Sequence, residues 1–242
     1  MRNNLFKTKQ NFTSERFLIH QLLLRSNMGM DTGLFHGKMG LILFFAHYFK
    51  YTGQQIYEDT ADELMAELIE EIKMQTLPIG FASRLSGIGW GIEYLIQSGF
   101  MDDDSLEVCE SIDKKIMTID PRRITDYSLD TGLEGVFHYV LAHIKGVMNQ
   151  HAKPSFDENY LGDLYQAART VLQSPEISEA LKLLTAKYTF FYENRMSDLE
   201  YALQLSFIVE DTELEKEISN TTPLGLKNGL AGFLLKSITE TG

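Results

Sequence analysis

The sequence predicts an all-α protein, and three observations on its 242 residues support that fold class. Apolar residues recur at helical spacing in most segments, and the stretch 54–74 shows this pattern most clearly. Glycines three or four residues apart open several apolar segments, as Gly33, Gly37 and Gly40 do. Alternation with a period of two between turn signals, which is typical of strands, is almost absent. We therefore expect about ten helices, in which glycine-opened apolar helices alternate with amphipathic helices.

Five helices are expected in the first half of the chain. The first begins at Thr13 or Ser14, which can cap it, and ends near Asn27. A glycine motif at 33–40 opens the second, and the third covers 54–74 with one apolar stripe and one acidic face. The stripe consists of Ile56, Ala61, Leu64, Met65, Leu68, Ile69 and Ile72. A second glycine motif, at 87–91, opens the fourth helix, and residues 102–105 can cap the fifth.

The second half of the chain continues the alternation. The buried side of the fifth helix is expected to carry Leu106, Cys109, Ile112 and Ile116. A third glycine motif opens a helix over 136–147, and two further helices cover 158–173 and 175–194, the latter starting with Pro175. Ser197 and Asp198 can cap another helix through Ile208. The glycine motif at 225–232 opens a last helix that ends near Thr239.

Charge and cysteine content limit the classes of partner and the compartment. The formal net charge is −12, whereas nucleic acids and anionic membranes attract basic surfaces, so we expect neither as a partner. An acidic surface suits a cationic peptide. The single cysteine, Cys109, allows no intrachain disulfide, which fits a reducing compartment. The first residues lack the apolar core of a secretory signal, and the apolar stretch 40–49 is too short to span a bilayer. We predict a cytoplasmic protein with a single domain, 1–242.

The glycine motifs recur along the chain. Gly37, Gly87, Gly132 and Gly229 fit a period of about 48 residues, with a degenerate copy near residue 180. A period of this size corresponds to one helical hairpin with its loops, and it favours stacked or circularly arranged helix pairs. Glycine in a helix costs about 0.5–1 kcal/mol relative to alanine, so the repeated glycines require a compensating gain. Either they let helices approach closely, or they leave bare backbone N–H groups facing a cavity.

These motifs resemble the signature G-L-x-x-G-x-x-G of the lanthionine synthetase C-like (LanC-like) family. GLFHGKMG at 33–40 and GLKNGLAG at 225–232 match it, while LSGIGWG at 85–91 and DTGLEGV at 130–136 match in part. The resemblance implies an α/α toroid, in which an inner ring of helices lies inside an outer ring, usually with seven helix pairs. About five units fit into this chain, so the toroid is expected to be incomplete. Cyclising members use zinc to add a peptide cysteine thiol to a dehydrated Ser or Thr.

Two departures from the family pattern predict a different chemistry. The cyclising enzymes hold zinc with two cysteines and a histidine, in motifs that resemble W-C-x-G and C-H-G. Here Gly91 follows Trp90, and Phe35 precedes His36 where the motif has a cysteine; Cys109 matches neither motif. Loss of the thiolate ligands should abolish the thiol activation that zinc supplies. We therefore predict no bound metal, no cofactor and no thioether cyclisation.

Candidate functional residues cluster at the glycine motifs. His36, Asp31, Asp130 and Glu134 could act in acid–base catalysis if the motif ends converge. Helix capping and first-turn charge explain the same carboxylates without any function.

The residues expected to line a cavity or contact a peptide are Arg84, Trp90, Lys227 and Asn228. A metal site from His47, His138 and His143 is not favoured, since the last two lie five residues apart on one helix. Acidic neighbours, Glu107, Glu110 and Asp113, argue against a reactive Cys109.

Three functional hypotheses remain open on the sequence. The first is a LanC-like accessory of a peptide-modification system that binds a precursor peptide or a partner enzyme without zinc catalysis. The second is a hydrolase or lyase on an α/α toroid that uses Asp31, Asp130 and Glu134. The third is a scaffold module that buries its open edge against a second copy of itself.

Overall fold

A computed structural model describes residues 9–26, 29–74, 77–153, 155–194, 199–209, 218–219 and 221–239. Within these ranges the chain forms ten α-helices and one short 3₁₀-helix, Pro121–Arg123, and no strand, so the all-α prediction is confirmed. The helices are α1 (Lys9–Arg25), α2 (Lys38–Thr52), α3 (Gln55–Met74), α4 (Leu85–Gln97), α5 (Ser105–Ile116), α6 (Leu133–Asn149), α7 (Glu158–Gln173), α8 (Glu179–Glu193), α9 (Ser206–Val209) and α10 (Leu230–Thr239).

The chain divides into two compact units. The first unit comprises Met1–Asp31, Phe35–Leu68 and Leu205–Gly242, and in it α10 packs against α1, α2 and α9. The second unit comprises Thr32–Leu34 and Ile69–Gln204, and in it α4 packs against α5 and α6 while α8 packs against α6 and α7. Helix α3 runs from the first unit into the second.

Most helix boundaries follow the predicted signals, α6 begins at Leu133 rather than 136, and larger differences affect α1, α8 and the helix through Ile208. Asp104 caps α5 by accepting hydrogen bonds from the N–H groups of Leu106 and Glu107, as expected for the 102–105 segment. Helix α1 begins earlier than predicted, at Lys9, and α8 begins at Glu179 rather than at Pro175, because Ser178 provides its cap. The predicted helix through Ile208 is reduced to Ser206–Val209, since residues 199–205 are not helical. Its proposed caps, Ser197 and Asp198, lie outside the described residues.

The apolar stripe of α3 also differs at its first position. Tyr57 is buried where Ile56 was expected, and Ile56 is exposed. The rest of the buried face includes Ala61, Leu64, Met65, Leu68 and Ile72, as the helical periodicity predicts.

Among the described residues, α2 is apolar but short and α3 is long but charged, and no helix is both long and apolar enough to cross a membrane.

The glycine motifs lie at the starts of four apolar helices and serve close packing. Gly37 and Gly132 are the N-cap residues of α2 and α6. A methyl group added to Gly87 on α4 would lie 1.8 Å from the carbonyl oxygen of Phe81. One added to Gly225, before α10, would lie 2.3 Å from the carbonyl oxygen of Phe35. Of the two explanations for the repeated glycines, the structure therefore supports close approach of neighbouring backbones.

Candidate functional site

The glycine-motif loops of each unit are joined by backbone hydrogen bonds. In the second unit, the N–H groups of Phe81 and Ala82, before α4, donate to the carbonyl oxygen of Asp130, before α6, at 2.9 and 3.1 Å. In the first unit, the N–H of Lys227, before α10, donates to the carbonyl oxygen of Phe35, before α2, at 3.0 Å. The same contact thus brings two helix starts together within each unit.

Four of the predicted site residues lie in the second unit, at or near these helix starts. Arg84 is the half-buried N-cap residue of α4, and Asp130 is exposed in the loop before α6. Glu134, in the first turn of α6, is 7% exposed and accepts a hydrogen bond from the Ser178 hydroxyl at 2.7 Å. Burial raises the pKa of Glu134, although the Ser178 hydrogen bond opposes that shift. Because Ser178 also caps α8, Glu134 anchors the start of that helix, which supports a structural role for this carboxylate.

Trp90, the fourth of these residues, is fully buried in the core of the second unit. Its indole N–H donates to the Tyr201 hydroxyl at 2.8 Å, and the same hydroxyl lies 2.8 Å from Nδ1 of His138. Since the indole can only donate, the Tyr201 hydroxyl accepts from Trp90, and its role towards His138 depends on the tautomer of that histidine. Burial lowers the pKa of His138 to about 4, so its imidazole is neutral at pH 7.

Acidification should destabilise the protein through His138. Its folded-state pKa of about 4 lies below the ordinary value of 6.5, so between these values the unfolded chain binds a proton that the folded chain does not. The stabilisation from neutral His138 is complete above pH 6.5 and is lost as the pH falls towards 4. We expect the free energy of unfolding to fall by about 2 kcal/mol more in the wild type than in His138→Gln over that interval. Urea titrations followed by circular dichroism at several pH values measure this difference. His20→Gln, a change at an exposed histidine on α1, should retain the wild-type slope.

The other four predicted site residues lie in the first unit. Asp31, His36 and Asn228 are exposed, and Asn228 has a positive φ of 55°. Lys227 is half-buried, and its ammonium lies 4.6 Å from the centre of the Phe35 ring, which is a cation–π distance. His36 and Lys227 therefore flank one pair of joined loops, whereas Arg84, Asp130 and Glu134 flank the other.

A separate cleft of about 280 Å³ lies in the first unit and contains none of the predicted residues. Its walls come from α1, α2, the start of α3 and Gln54 in the loop before α3. They comprise Arg16, Ile19, His20, Leu23, Tyr48, Gln54 and Tyr57.

The described part of the second unit contains a buried cluster of ionisable side chains that sequence reasoning did not assemble. It joins Glu93 of α4, Cys109 and Asp113 of α5, and His143 of α6, all of them at most 1% exposed. Nδ1 of His143 lies 2.7 Å from Oε1 of Glu93, and Sγ of Cys109 donates to the same oxygen at 3.8 Å. On the other side of the ring, Nε2 lies 2.9 Å from Oδ2 of Asp113. That contact has the distance of an ion pair but falls outside the angular limits of a hydrogen bond.

Neighbouring side chains hold both carboxylates of this cluster. Oε2 of Glu93 accepts from Gln97 at 2.7 Å and from Ser105 at 3.3 Å. Oδ1 of Asp113 accepts from Tyr139 at 2.5 Å, and Oδ2 accepts from Ser155. Each carboxylate therefore has a fixed orientation towards the imidazole ring between them.

Burial and the two carboxylates shift the pKa of His143 in opposite directions, but both raise the pKa of Cys109. Burial alone lowers the pKa of His143, but Asp113, Cys109 and Glu93 together raise it well above its ordinary value. Burial raises the pKa of Cys109 to about 11, with Glu93 and Asp113 adding to the shift against the opposing effect of His143. In the absence of another cation, the cluster holds an imidazolium between two carboxylates beside a neutral thiol.

Sequence reasoning considered Cys109, Asp113 and His143 for separate reasons, and it missed Glu93. It placed Cys109 correctly on the buried face of α5, but attributed its low reactivity to neighbours that include the exposed Glu107 and Glu110. Burial is the main cause, and Glu93 is the principal acidic neighbour. His138 and His143 do face different partners, as their spacing predicts. A usable signal existed, because Glu93 is the only charged residue within the apolar helix α4.

No protein-family model matches this chain, and no curated protein matches it either. The LanC-like resemblance of the glycine motifs therefore stays a prediction.

Proposed function

We propose that this chain is a LanC-like helical module of a peptide-modification system, and that it binds a basic precursor peptide without forming thioethers. The observation that carries the proposal is the repeated joining of glycine-motif loops. The starts of α4 and α6, and those of α2 and α10, are held together by backbone hydrogen bonds between the corresponding loops. An incomplete α/α toroid would bring the starts of its inner helices together in this way.

The charge of the chain supports a basic ligand. The formal net charge is −12, and Asp130 and Asp31 are exposed in glycine-motif loops. Acidic groups around a binding surface attract a cationic peptide and increase its association rate. A cytoplasmic location belongs to the proposal, since the single cysteine suits a reducing compartment.

The zinc site of the cyclising enzymes does not fit these residues. That site needs two thiolates and a histidine, and this chain has one cysteine, buried on α5. At the position of the C-H-G motif, Phe35 is buried under the Lys227 ammonium and His36 is exposed. The proposed role is therefore binding and presentation of the peptide.

Removal of the negative charge of Asp130, in the loop before α6, should weaken peptide binding. A labelled peptide rich in Lys, Ser, Thr and Cys is titrated with the protein at low salt and followed by fluorescence anisotropy. Asp130→Asn should weaken binding about two- to five-fold, because it removes one attractive charge at the surface of the site. Added salt should reduce the affinity and narrow the difference between the variant and the wild type.

The matched control is Asp102→Asn. This change removes the same charge from an exposed residue in the loop after α4, at the opposite end of that helix from the glycine motif. Asp102→Asn should alter the affinity less than Asp130→Asn does. Equal effects would show that the peptide responds only to total charge, and the proposal would then be wrong. A peptide with Glu in place of Lys should not bind.

A further inference from the structure

The buried cluster of the second unit offers three different metal-ligand atoms in one place. A carboxylate oxygen of Glu93, Sγ of Cys109 and a ring nitrogen of His143 all lie within 4.8 Å of one another. They come from α4, α5 and α6, and all three side chains are 0% exposed. Sulfur, imidazole nitrogen and carboxylate oxygen together form a donor set that zinc accepts.

Small movements of the side chains would convert these contacts into coordination. Nδ1 of His143 and Sγ of Cys109 both approach the same oxygen, Oε1 of Glu93, at 2.7 and 3.8 Å. Tetrahedral zinc requires nitrogen–oxygen and sulfur–oxygen separations of about 3.3 and 3.5 Å. The first distance must therefore grow and the second must shrink, both by well under 1 Å.

The outer contacts already resemble those that orient metal ligands. Gln97 and Ser105 hold the second oxygen of Glu93 and leave Oε1 directed at the imidazole. Nε2 of His143 is buried without an aligned hydrogen bond, yet it lies 2.9 Å from Oδ2 of Asp113. A histidine that binds metal through one nitrogen commonly donates its other N–H to a carboxylate, and Asp113 occupies that position. A slight rotation of the ring would align this bond.

The negative charges of the Glu93 carboxylate and a Cys109 thiolate favour a cation between them. With the thiol deprotonated, Glu93 and Cys109 carry two negative charges that a divalent ion neutralises, and His143 then binds as the neutral imidazole. Gly146 on α6 leaves the space for this arrangement, because a methyl group there would lie 2.1 Å from Oε2 of Glu93.

We propose that Glu93, Cys109 and His143 bind one zinc ion, that Asp113 orients the histidine, and that the metal fastens α4, α5 and α6 together. The site is separate from the glycine-motif loops, so it goes beyond the proposed peptide binding and does not depend on it. Because its ligands are fully buried, the zinc is inaccessible to a peptide thiol, although the three ligands leave the fourth position of a tetrahedral ion to water. Binding the ion releases the protons of the histidine and the thiol.

Metal titration of the full chain tests this proposal. Protein stripped with a chelator is titrated with Zn²⁺, and bound metal is counted by elemental analysis after desalting. We expect one zinc per chain and a rise in the unfolding temperature that Mg²⁺ does not produce. Co²⁺ in place of Zn²⁺ should give a thiolate-to-cobalt charge-transfer band, which reports sulfur coordination directly.

A matched pair of histidine variants on α6 identifies the ligand. His143→Gln should lose the cobalt band, whereas His138→Gln, five residues earlier and bonded to Tyr201, should keep it. Cys109→Ser should also lose the band, and Asp113→Asn should weaken zinc binding about 10- to 100-fold. Helical content measured by circular dichroism identifies variants that fail to fold. Folded wild-type protein that takes up no zinc, or a cobalt complex without the thiolate band, would overturn the proposal whatever the variants do.

Discussion

Replacement of Glu93 by alanine is expected to lower the free energy of unfolding by about 3–5 kcal/mol in metal-free buffer. The change removes one of the two carboxylates that balance the imidazolium of His143, in a region that is fully buried. It also takes the acceptor from the buried Ser105 hydroxyl and one of the two acceptors from Gln97, which keeps the Ala142 carbonyl. A buried charge and buried donors without partners are among the costliest defects in a protein core. Urea denaturation at neutral pH in the presence of a chelator measures the loss.

Two control variants separate the effect of the lost charge of Glu93 from the effect of removing a glutamate at an exposed position. Glu93→Gln keeps the volume and one oxygen acceptor but removes the charge, so its cost should fall between those of the wild type and Glu93→Ala. Glu110→Ala removes an exposed glutamate on α5 that pairs with Lys114 at 2.6 Å, and should change stability by less than about 0.5 kcal/mol. If Glu93→Ala were as mild as Glu110→Ala, the cluster would contribute nothing to the core, and the burial argument would be wrong.

Replacement of Gly87 by alanine is expected to cost about 3 kcal/mol. The added methyl group would lie 1.8 Å from the carbonyl oxygen of Phe81 and 3.0 Å from Cβ of Leu34. The first of these is a backbone atom in the loop that donates two hydrogen bonds to Asp130, so it cannot move without loss of those bonds. Relief of the clash therefore requires the start of α4 to shift away from the loop.

Gly162 provides a control for which the expected change in stability has the opposite sign. Gly162 lies inside α7, and a methyl group there would meet only the Tyr192 hydroxyl, at an ordinary contact distance of 3.4 Å. Alanine favours a helix over glycine, so Gly162→Ala should stabilise the protein by about 0.5–1 kcal/mol. Thermal unfolding followed by circular dichroism compares the two variants. The packing explanation of the motif glycines predicts shifts in opposite directions, and a stabilised Gly87→Ala would contradict it.

The glycine motifs show how far sequence reasoning reached in the fold. Their spacing located the starts of α2, α4, α6 and α10, because a glycine pattern beside an apolar run is a local feature. The same pattern left two explanations open, close packing or a lined cavity. Only the distances from Gly87 and Gly225 to neighbouring backbone atoms support the first explanation over the second.

The candidate sites show the corresponding limit. Asp31, His36, Asp130 and Glu134 are candidates on the sequence because they neighbour the motifs, and the structure places the first three at exposed positions. Glu134 is buried, but its carboxylate is engaged by Ser178, which lies 44 residues further along the chain. A contact at that separation leaves no trace in helical periodicity, so the structural use of Glu134 could not be recognised.

The sequence by itself determined that this protein is helical, where most of its helices begin and end, and which face of α5 is buried. These properties depend on side chains within a few turns of each other, and the 3.6-residue period exposes them directly. Only the tertiary structure decided that Glu93, Cys109 and His143 meet. Cys109 lies 16 residues after Glu93 and His143 lies 50 residues after it, and the three side chains come from three helices. Their meeting depends on how α4, α5 and α6 pack and rotate, and that is set by the packing of whole helix faces rather than by any local pattern.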